Sequence, residues 1–128
     1  MKKLLSIYIT TLLITIGAIA YQNLNPKEFY KEINSDKDIL LIDVRTPMEY
    51  QKDGHIKGSK LIPIQVFTKF MPELEKFKER KIYVYCRSGS RSSMVSRFLD
   101  KMGFKKVYNL KGGIIQWKNN NLPVEYGK

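Results

Sequence analysis

Residues Lys81 to Asp100, KIYVYCRSGSRSSMVSRFLD, limit the fold more than any other stretch of the chain. Lys81 to Tyr85 is a short β-branched and aromatic run, the composition of a buried strand. Beyond Arg91, the apolar residues Met94, Val95, Phe98, Leu99 and Met102 recur at helical spacing, and Gly103 supplies a helix stop. Between strand and helix lies Cys86-Arg87-Ser88-Gly89-Ser90-Arg91-Ser92, which holds the single cysteine of the protein. A cysteine at the end of a strand, just before a helix N-terminus, faces unsatisfied N–H groups and the positive end of the helix dipole. Arg87 and Arg91 add positive charge, and Ser88, Ser90 and Ser92 add hydroxyl donors. Gly89 lets successive N–H groups converge on one point, an anion-binding nest. Each feature favours thiolate over thiol and stabilises an anion attached to the sulfur. A lone cysteine is more commonly a small buried hydrophobe, but two arginines within five residues in a Gly- and Ser-rich loop argue against that role.

The rest of the chain supplies a frame for this unit. Asn25-Pro26-Lys27-Glu28 reads as a helix start, with Asn as cap, Pro in the first turn and Glu at the third helical position. Phe29, Tyr30 and Ile33 are expected on its inner face. Asp38 to Val44 is an apolar run closed by Asp43, expected as a buried central strand. Thr46-Pro47-Met48-Glu49 repeats the capping pattern. Lys60 to Ile64 reads as another strand, ended by Pro63, and Pro72 opens a helical segment with Leu74 and Phe77 inward. Lys106 to Leu110 makes a last strand, and Gly112-Gly113 precedes a turn carrying Ile114, Ile115 and Trp117. Strands alternating with helices predict an α/β fold: a small central parallel sheet of about five strands with helices on both faces. In such sheets ligands bind beyond the carboxyl ends of the strands, where Cys86 falls.

Residues 1–20 stand apart. Lys2 and Lys3 precede an uncharged apolar run, Leu4 to Ile16, and Ala18-Ile19-Ala20 has the small-x-small pattern of a signal-peptidase site. The expectation is a secretory signal peptide cleaved before Tyr21, giving an exported, periplasmic domain of residues 21–128. The alternative is an uncleaved anchor on the outer face of the inner membrane, since Leu4 to Tyr21 approaches the roughly 20 residues that span a bilayer. An exported chain meets an oxidising compartment, and one cysteine can form no internal disulfide. A lone thiol there is a liability unless its reactivity is the purpose.

The net charge of +11 comes from lysines spread along the chain, without a run of five basic residues. With no recognition helix or aromatic RNA motif, nucleic-acid binding is not expected. A positive field would instead draw in small anions. With one His and one Cys, no soft-ligand metal cage can be built, so neither metal nor cofactor is expected.

The loop around Cys86 resembles the active-site loop of the rhodanese, or thiosulfate sulfurtransferase, family. The four residues between Cys86 and Arg91 match that family's spacing, whereas dual-specificity phosphatases and arsenate reductases carry one more, usually with a histidine where Tyr85 stands. Asp43-Val44-Arg45, Glu49-Tyr50, Gly54-His55-Ile56-Lys57-Gly58-Ser59, and Leu110-Lys111-Gly112-Gly113 with Trp117 are similar to other rhodanese signatures, so the likeness covers roughly residues 24–124. It implies Cys86 as nucleophile, a persulfide intermediate, and a binding loop of Arg87, Ser88, Gly89, Ser90 and Arg91. Asp43 and Arg45 are supporting candidates: Asp43 could orient Arg45 or a loop arginine, or simply end its strand. Arg45 could attract the anionic substrate or pair with Glu49. His55 is expected to fix the Gly54–Gly58 loop rather than act as a base, and Trp117 to be core or a wall near the site. The expected partners are a sulfur donor such as thiosulfate and a cyanide or thiol acceptor, served by a monomer. A persulfide carrier that binds a protein acceptor is the alternative, and a phosphatase or arsenate reductase the third reading.

Overall fold

The computed structural model describes residues 21–128; the signal peptide expected at 1–20 lies outside the described residues. Five strands form one parallel sheet, β1 (Gln22–Leu24), β2 (Ile39–Asp43), β3 (Lys60–Leu61), β4 (Lys81–Tyr85) and β5 (Val107–Leu110), in the order β1-β5-β4-β2-β3. The helices are α1 (Pro26–Ser35), α2 (Pro47–Lys52), α3 (Met71–Leu74), α4 (Ser90–Lys101) and α5 (Gly113–Asn119), with 3₁₀ segments at Ile64–Phe70 and Glu75–Phe77. No helix among the described residues is long and apolar enough to cross a membrane.

The pleat of β4 sorts the core into two layers. Ile82, Val84 and Cys86 face one side, with Ile42, Phe67, Leu74, Val95 and Leu99. Tyr83 and Tyr85 face the other, with Phe29, Ile56, Ile114 and Trp117. The period-2 alternation of a strand thus places helices on both faces of a sheet whose interior strands are mostly apolar, with polar residues at Asp43, Lys81 and Asn109. Cys86 lies on the α4 side, and the α5 side is packed with aromatics, Phe29 edge-on to Tyr83 at 5.4 Å and to Trp117 at 6.3 Å.

Both capping boxes form. Asn25 accepts from the Glu28 amide and Thr46 from the Glu49 amide, and each Glu side chain returns to its cap's backbone. Each reciprocal pair satisfies two otherwise orphaned N–H groups.

Elsewhere the structure departs from the sequence reading. On α1, Phe29 is fully buried and Ile33 half-buried, but Tyr30 is 38% exposed and packs edge-on to Trp117. On α4 the buried positions are Ser92, Val95, Ser96 and Leu99, while Met94 and, just past the helix end, Met102 are exposed; two small serines let the helix approach the sheet closely. Strand β3 stops at Leu61 instead of Ile64. Pro63 has no N–H to continue a ladder, although the Ile62 and Ile64 amides still reach the carbonyls of Asp43 and Val44. Helix α3 begins at Met71, ahead of Pro72, after a 3₁₀ stretch. The segment after Gly112 is a helix rather than a turn, because Ile114 and Trp117 pack inward three residues apart. Strand β1 has only three residues and takes its register from β5, with Gln22 opposite Tyr108.

Candidate active site

Strands β2 and β4 are hydrogen-bonded neighbours with Asp43 opposite Tyr85, so their carboxyl ends deliver Asp43, Arg45 and Cys86 to one edge of the sheet. Cys86 is fully buried at the base of the loop that leads into α4. Its Sγ accepts from the Gly89 amide at 3.1 Å, the Ser92 hydroxyl at 3.3 Å and the Ser92 amide at 3.4 Å. Around it, the amides of Arg87, Ser88, Ser90 and Arg91 find no acceptor among the described residues. These are the free donors of a helix N-terminus and the loop before it. Together they form a concave set of dipoles suited to negative charge on sulfur and on an atom attached to it.

Two glycines make this curve. Gly89 adopts φ +105° as it turns the loop into α4. Gly113, at φ +64°, lies where a Cβ would come within 2.3 Å of the Arg87 carbonyl oxygen. That close approach lets the Ile114 and Ile115 amides donate to the Cys86 and Arg87 carbonyls, at 2.9 and 3.1 Å. Helix α5 therefore fixes the back of the loop.

The loop's two arginines differ. Arg91 makes a two-pronged pair with Glu49, Nη1 to Oε1 and Nη2 to Oε2, both 2.8 Å. Glu49 is also the reciprocal partner in the α2 capping box, through the Thr46 amide and hydroxyl. The Arg91 hydrogen bond holds the Glu49 carboxyl down to about 2 against the opposing effect of burial. Arg91 thus ties α4 to α2, while Arg87 is exposed and makes no ion pair among the described residues. Ser88 and Ser90 are exposed as well; of the three loop serines only Ser92 reaches Sγ. Ser92 is the residue missing from the expected binding set. Its signal lies in helix register: as the third residue of α4 its hydroxyl points back over the strand end.

Arg45 does not pair with Glu49. Its Nε and Nη2 donate to the two Asp43 carboxylate oxygens at 3.0 and 2.7 Å, and Nη2 also donates to the Gly54 carbonyl at 2.7 Å. Both side chains are wholly buried, and the Asp43 hydrogen bond and charge outweigh burial to raise the Arg45 guanidinium above its ordinary value. Asp43 lies two residues away on the same strand end, closer to hand than Glu49 on the next helix.

Tyr85, directly before the cysteine, points to the opposite face. Its hydroxyl accepts from the Ile56 amide at 3.0 Å and meets the Ser59 hydroxyl at 3.0 Å; burial, with the Asp43 charge, holds it protonated well above the ordinary tyrosine range. His55 stacks on Tyr50 at 3.6 Å and bonds the Tyr50 carbonyl through Nδ1 at 2.9 Å. Its backbone pairs with Glu125, so His55 fixes its loop. Trp117 is core, donating to the Pro123 carbonyl.

A family model described as the rhodanese-like domain matches residues 25–120. A sulfurtransferase of Allochromatium vinosum is 39% identical over 88 residues, covering 69% of this chain and 79% of that protein. A tRNA uridine(34) hydroxylase of Pelagibacter ubique is 42% identical over 99 residues, covering 77% of this chain but 32% of its own length. Among solved structures, a rhodanese-related protein from Thermoplasma volcanium matches with a TM-score of 0.71 at 31% identity, over 82% of this chain and 98% of that one.

Proposed function

Because this chain belongs to the rhodanese-like sulfurtransferase family, we propose that it moves a sulfane sulfur from thiosulfate, or a similar donor, to cyanide or a thiol through a persulfide on Cys86. The observation that carries this reading is the set of donors around Sγ: three occupied by the sulfur itself and four amides still open beside it. In the first half-reaction the Cys86 thiolate attacks the outer sulfur of thiosulfate. A new S–S bond forms, the donor's own S–S bond breaks, and sulfite leaves with its electron pair. The open amides of Arg87, Ser88, Ser90 and Arg91 hold the charge on the terminal sulfur, preorganised so that little rearrangement is needed. In the second half the acceptor attacks that sulfur and the electron pair returns to Sγ. Such a two-step exchange is ping-pong. The exposed Arg87 guides the sulfonate, and Arg91 positions the loop through Glu49. If residues 1–20 direct export, the chemistry takes place outside the cytoplasm.

Intact-mass measurement of the full chain before and after thiosulfate tests the proposal, with Cys86→Ser alongside. The expected result is a gain of one sulfur atom that cyanide removes and the variant lacks. No gain with a free thiol would overturn thiosulfate as donor. A gain that cyanide does not discharge would favour a carrier that serves a dedicated acceptor.

A further inference from the structure

Strand β2 pairs along its whole length with β4 but only at its last two residues with β3, where Ile42 lies level with Lys60 and Asp43 with Leu61. Before Lys60 the chain turns away. The Ser59 amide and hydroxyl both bond the Ile56 carbonyl, and Gly58 adopts φ +85°. Along a strand the backbone groups of successive residues alternate in direction. The Val44 amide donates to the Tyr85 carbonyl, and the Asp43 carbonyl accepts from the Ile62 amide. Leu40 and Ile42 therefore face β4, while Ile39 and Leu41 face the outer edge. The register gives the Leu41 carbonyl to the Lys60 amide. The Ile39 N–H, the Ile39 C=O and the Leu41 N–H have no hydrogen-bond partner among the described residues. A sheet edge with open groups of this kind is a template for another strand.

Beside these groups, on the α1 side of the sheet, lies a groove of about 400 Å³. Ile33, Ile39 and Leu41 give it an apolar floor, and Gly58 borders it where an added Cβ would meet nothing within 4 Å. Lys37 and Lys57 stand at the rim, both exposed and in no ion pair among the described residues. Asp36 opposes them, half-buried and accepting from the Asp38 amide at 2.9 Å, while the Asp38 carboxylate is held by Arg80 at 3.2 Å. Two lysines against one carboxylate leave a positive excess of one. We propose that this edge docks an extended acidic segment of a partner protein, which adds to the sheet in line with β3. The backbone of that segment pairs with the three open groups. Its side chains level with Ile39 and Leu41 fall on the α1 side and cover the apolar floor, and carboxylates at its ends meet Lys37 and Lys57. A second copy of this chain fits less well, because it brings the same two lysines to the edge. Leu41 is level with Tyr83, about 10 Å along the strands from Cys86, and the groove lies on the face opposite Cys86. A docked segment therefore leaves the nucleophile free, and the edge recruits the partner rather than receiving sulfur.

The test follows amide hydrogen exchange along β2 of the full chain by NMR, with and without the synthetic peptide acetyl-EEVSVSVEE-amide. The control is the same peptide N-methylated at every residue of its VSVSV core, which keeps the side chains and removes the backbone donors. The expected result is that the probe slows exchange of the Ile39 and Leu41 amides roughly tenfold, the worth of one hydrogen bond, and that the control does not. Lys37→Glu combined with Lys57→Glu is expected to weaken probe binding roughly tenfold. Ile39→Pro removes an outward N–H at the first residue of the strand, where no ladder bond is lost, and is expected to weaken binding by a similar factor. Persulfide loading of Cys86 is expected to be unchanged in each variant. Absence of protection by the probe, or equal protection by the control, overturns the proposal, as does an unchanged affinity in the double lysine variant. Protection of the same amides that rises with protein concentration in the absence of probe also overturns it, and assigns the edge to a second copy of the chain.

Discussion

Two arginines, Arg45 after β2 and Arg91 in α4, stand at the same sheet edge, and each is paired with a carboxylate. The settings differ. Arg45 and Asp43 are both wholly buried, joined within three residues of one strand end, and tied onward to the Gly54 carbonyl. Arg91 and Glu49 are partly exposed, 29% and 18%, and join two helices across 42 positions of sequence. In a buried pair each charge depends on the other, because neither can turn to water; the pair is a fixture of the frame. In a half-exposed pair water can replace a lost partner, and what remains at stake is mostly position. The chain therefore uses one arginine to hold the edge together and the other to aim the loop.

The sharpest way to break this contrast is Arg45→Met. It leaves the Asp43 carboxylate buried without its partner, and the expected loss is about 3–5 kcal/mol, a large part of the roughly 5–15 kcal/mol typical of a whole domain. Urea unfolding followed by circular dichroism reads it. Combining Arg45→Met with Asp43→Asn is expected to recover part of the loss, since no uncompensated charge remains. A cost below about 1 kcal/mol for the single change would place Arg45 in the same class as Arg91.

Next comes the hinge between loop and α5. Gly113→Ala puts a Cβ within 2.3 Å of the Arg87 carbonyl oxygen at a left-handed backbone position. The expected cost is about 1–3 kcal/mol, together with slower persulfide formation, because the loop must move off α5 to admit the methyl group. Wild-type loading kinetics in the variant would show that the loop holds its shape without α5.

Ser92→Ala acts on the sulfur directly and is expected to do less. It removes one of three groups that donate to Sγ while the Ser92 and Gly89 amides remain. The loading rate should fall about fivefold, the worth of one modest hydrogen bond, with little change in melting temperature. Ser88→Ala, on an exposed side chain that makes no contact with Sγ, provides the comparison, and equal effects from both would remove Ser92 from the site.

These contrasts also show what the chain disclosed before its structure was known. The strand, the loop and the helix around Cys86 were legible because they are local: composition, a glycine and a capping position lie within twenty residues. The two capping boxes were legible for the same reason. The partners of the arginines were not. Arg45 has Asp43 two residues before it and Glu49 four after, and only the burial of the strand end decides between them. Arg91 finds Glu49 through the packing of α4 beside α2, which no spacing encodes. Ser92 could be told from Ser88 and Ser90 only once the first residue of α4 was known. Strand β1 and the 3₁₀ stretch from Ile64 lack the periodicity that marks longer elements, and each follows a neighbour's backbone.

The smallest expected effect concerns pH, and it separates the two pairs most cleanly. Arg91 holds the Glu49 carboxyl at about 2 in the folded protein, below its ordinary value of 4.5. A depressed carboxyl contributes stability that is fully present above the unfolded value and is lost as pH falls through the folded one. The window is therefore pH 4.5 down to 2. Because both partners are partly exposed, the contribution is about 1 kcal/mol, toward the upper end for pairs in contact with water. Other carboxylates titrate in the same range, so the informative quantity is the difference between the wild type and Glu49→Gln, whose amide can still serve the capping box. That difference should be greatest near neutrality, shrink through the window, and vanish only below pH 2. A difference that stays constant across the window would mean that the Glu49 side chain supports α2 by shape and hydrogen bonding alone, and that Arg91 is aimed by something other than its charge.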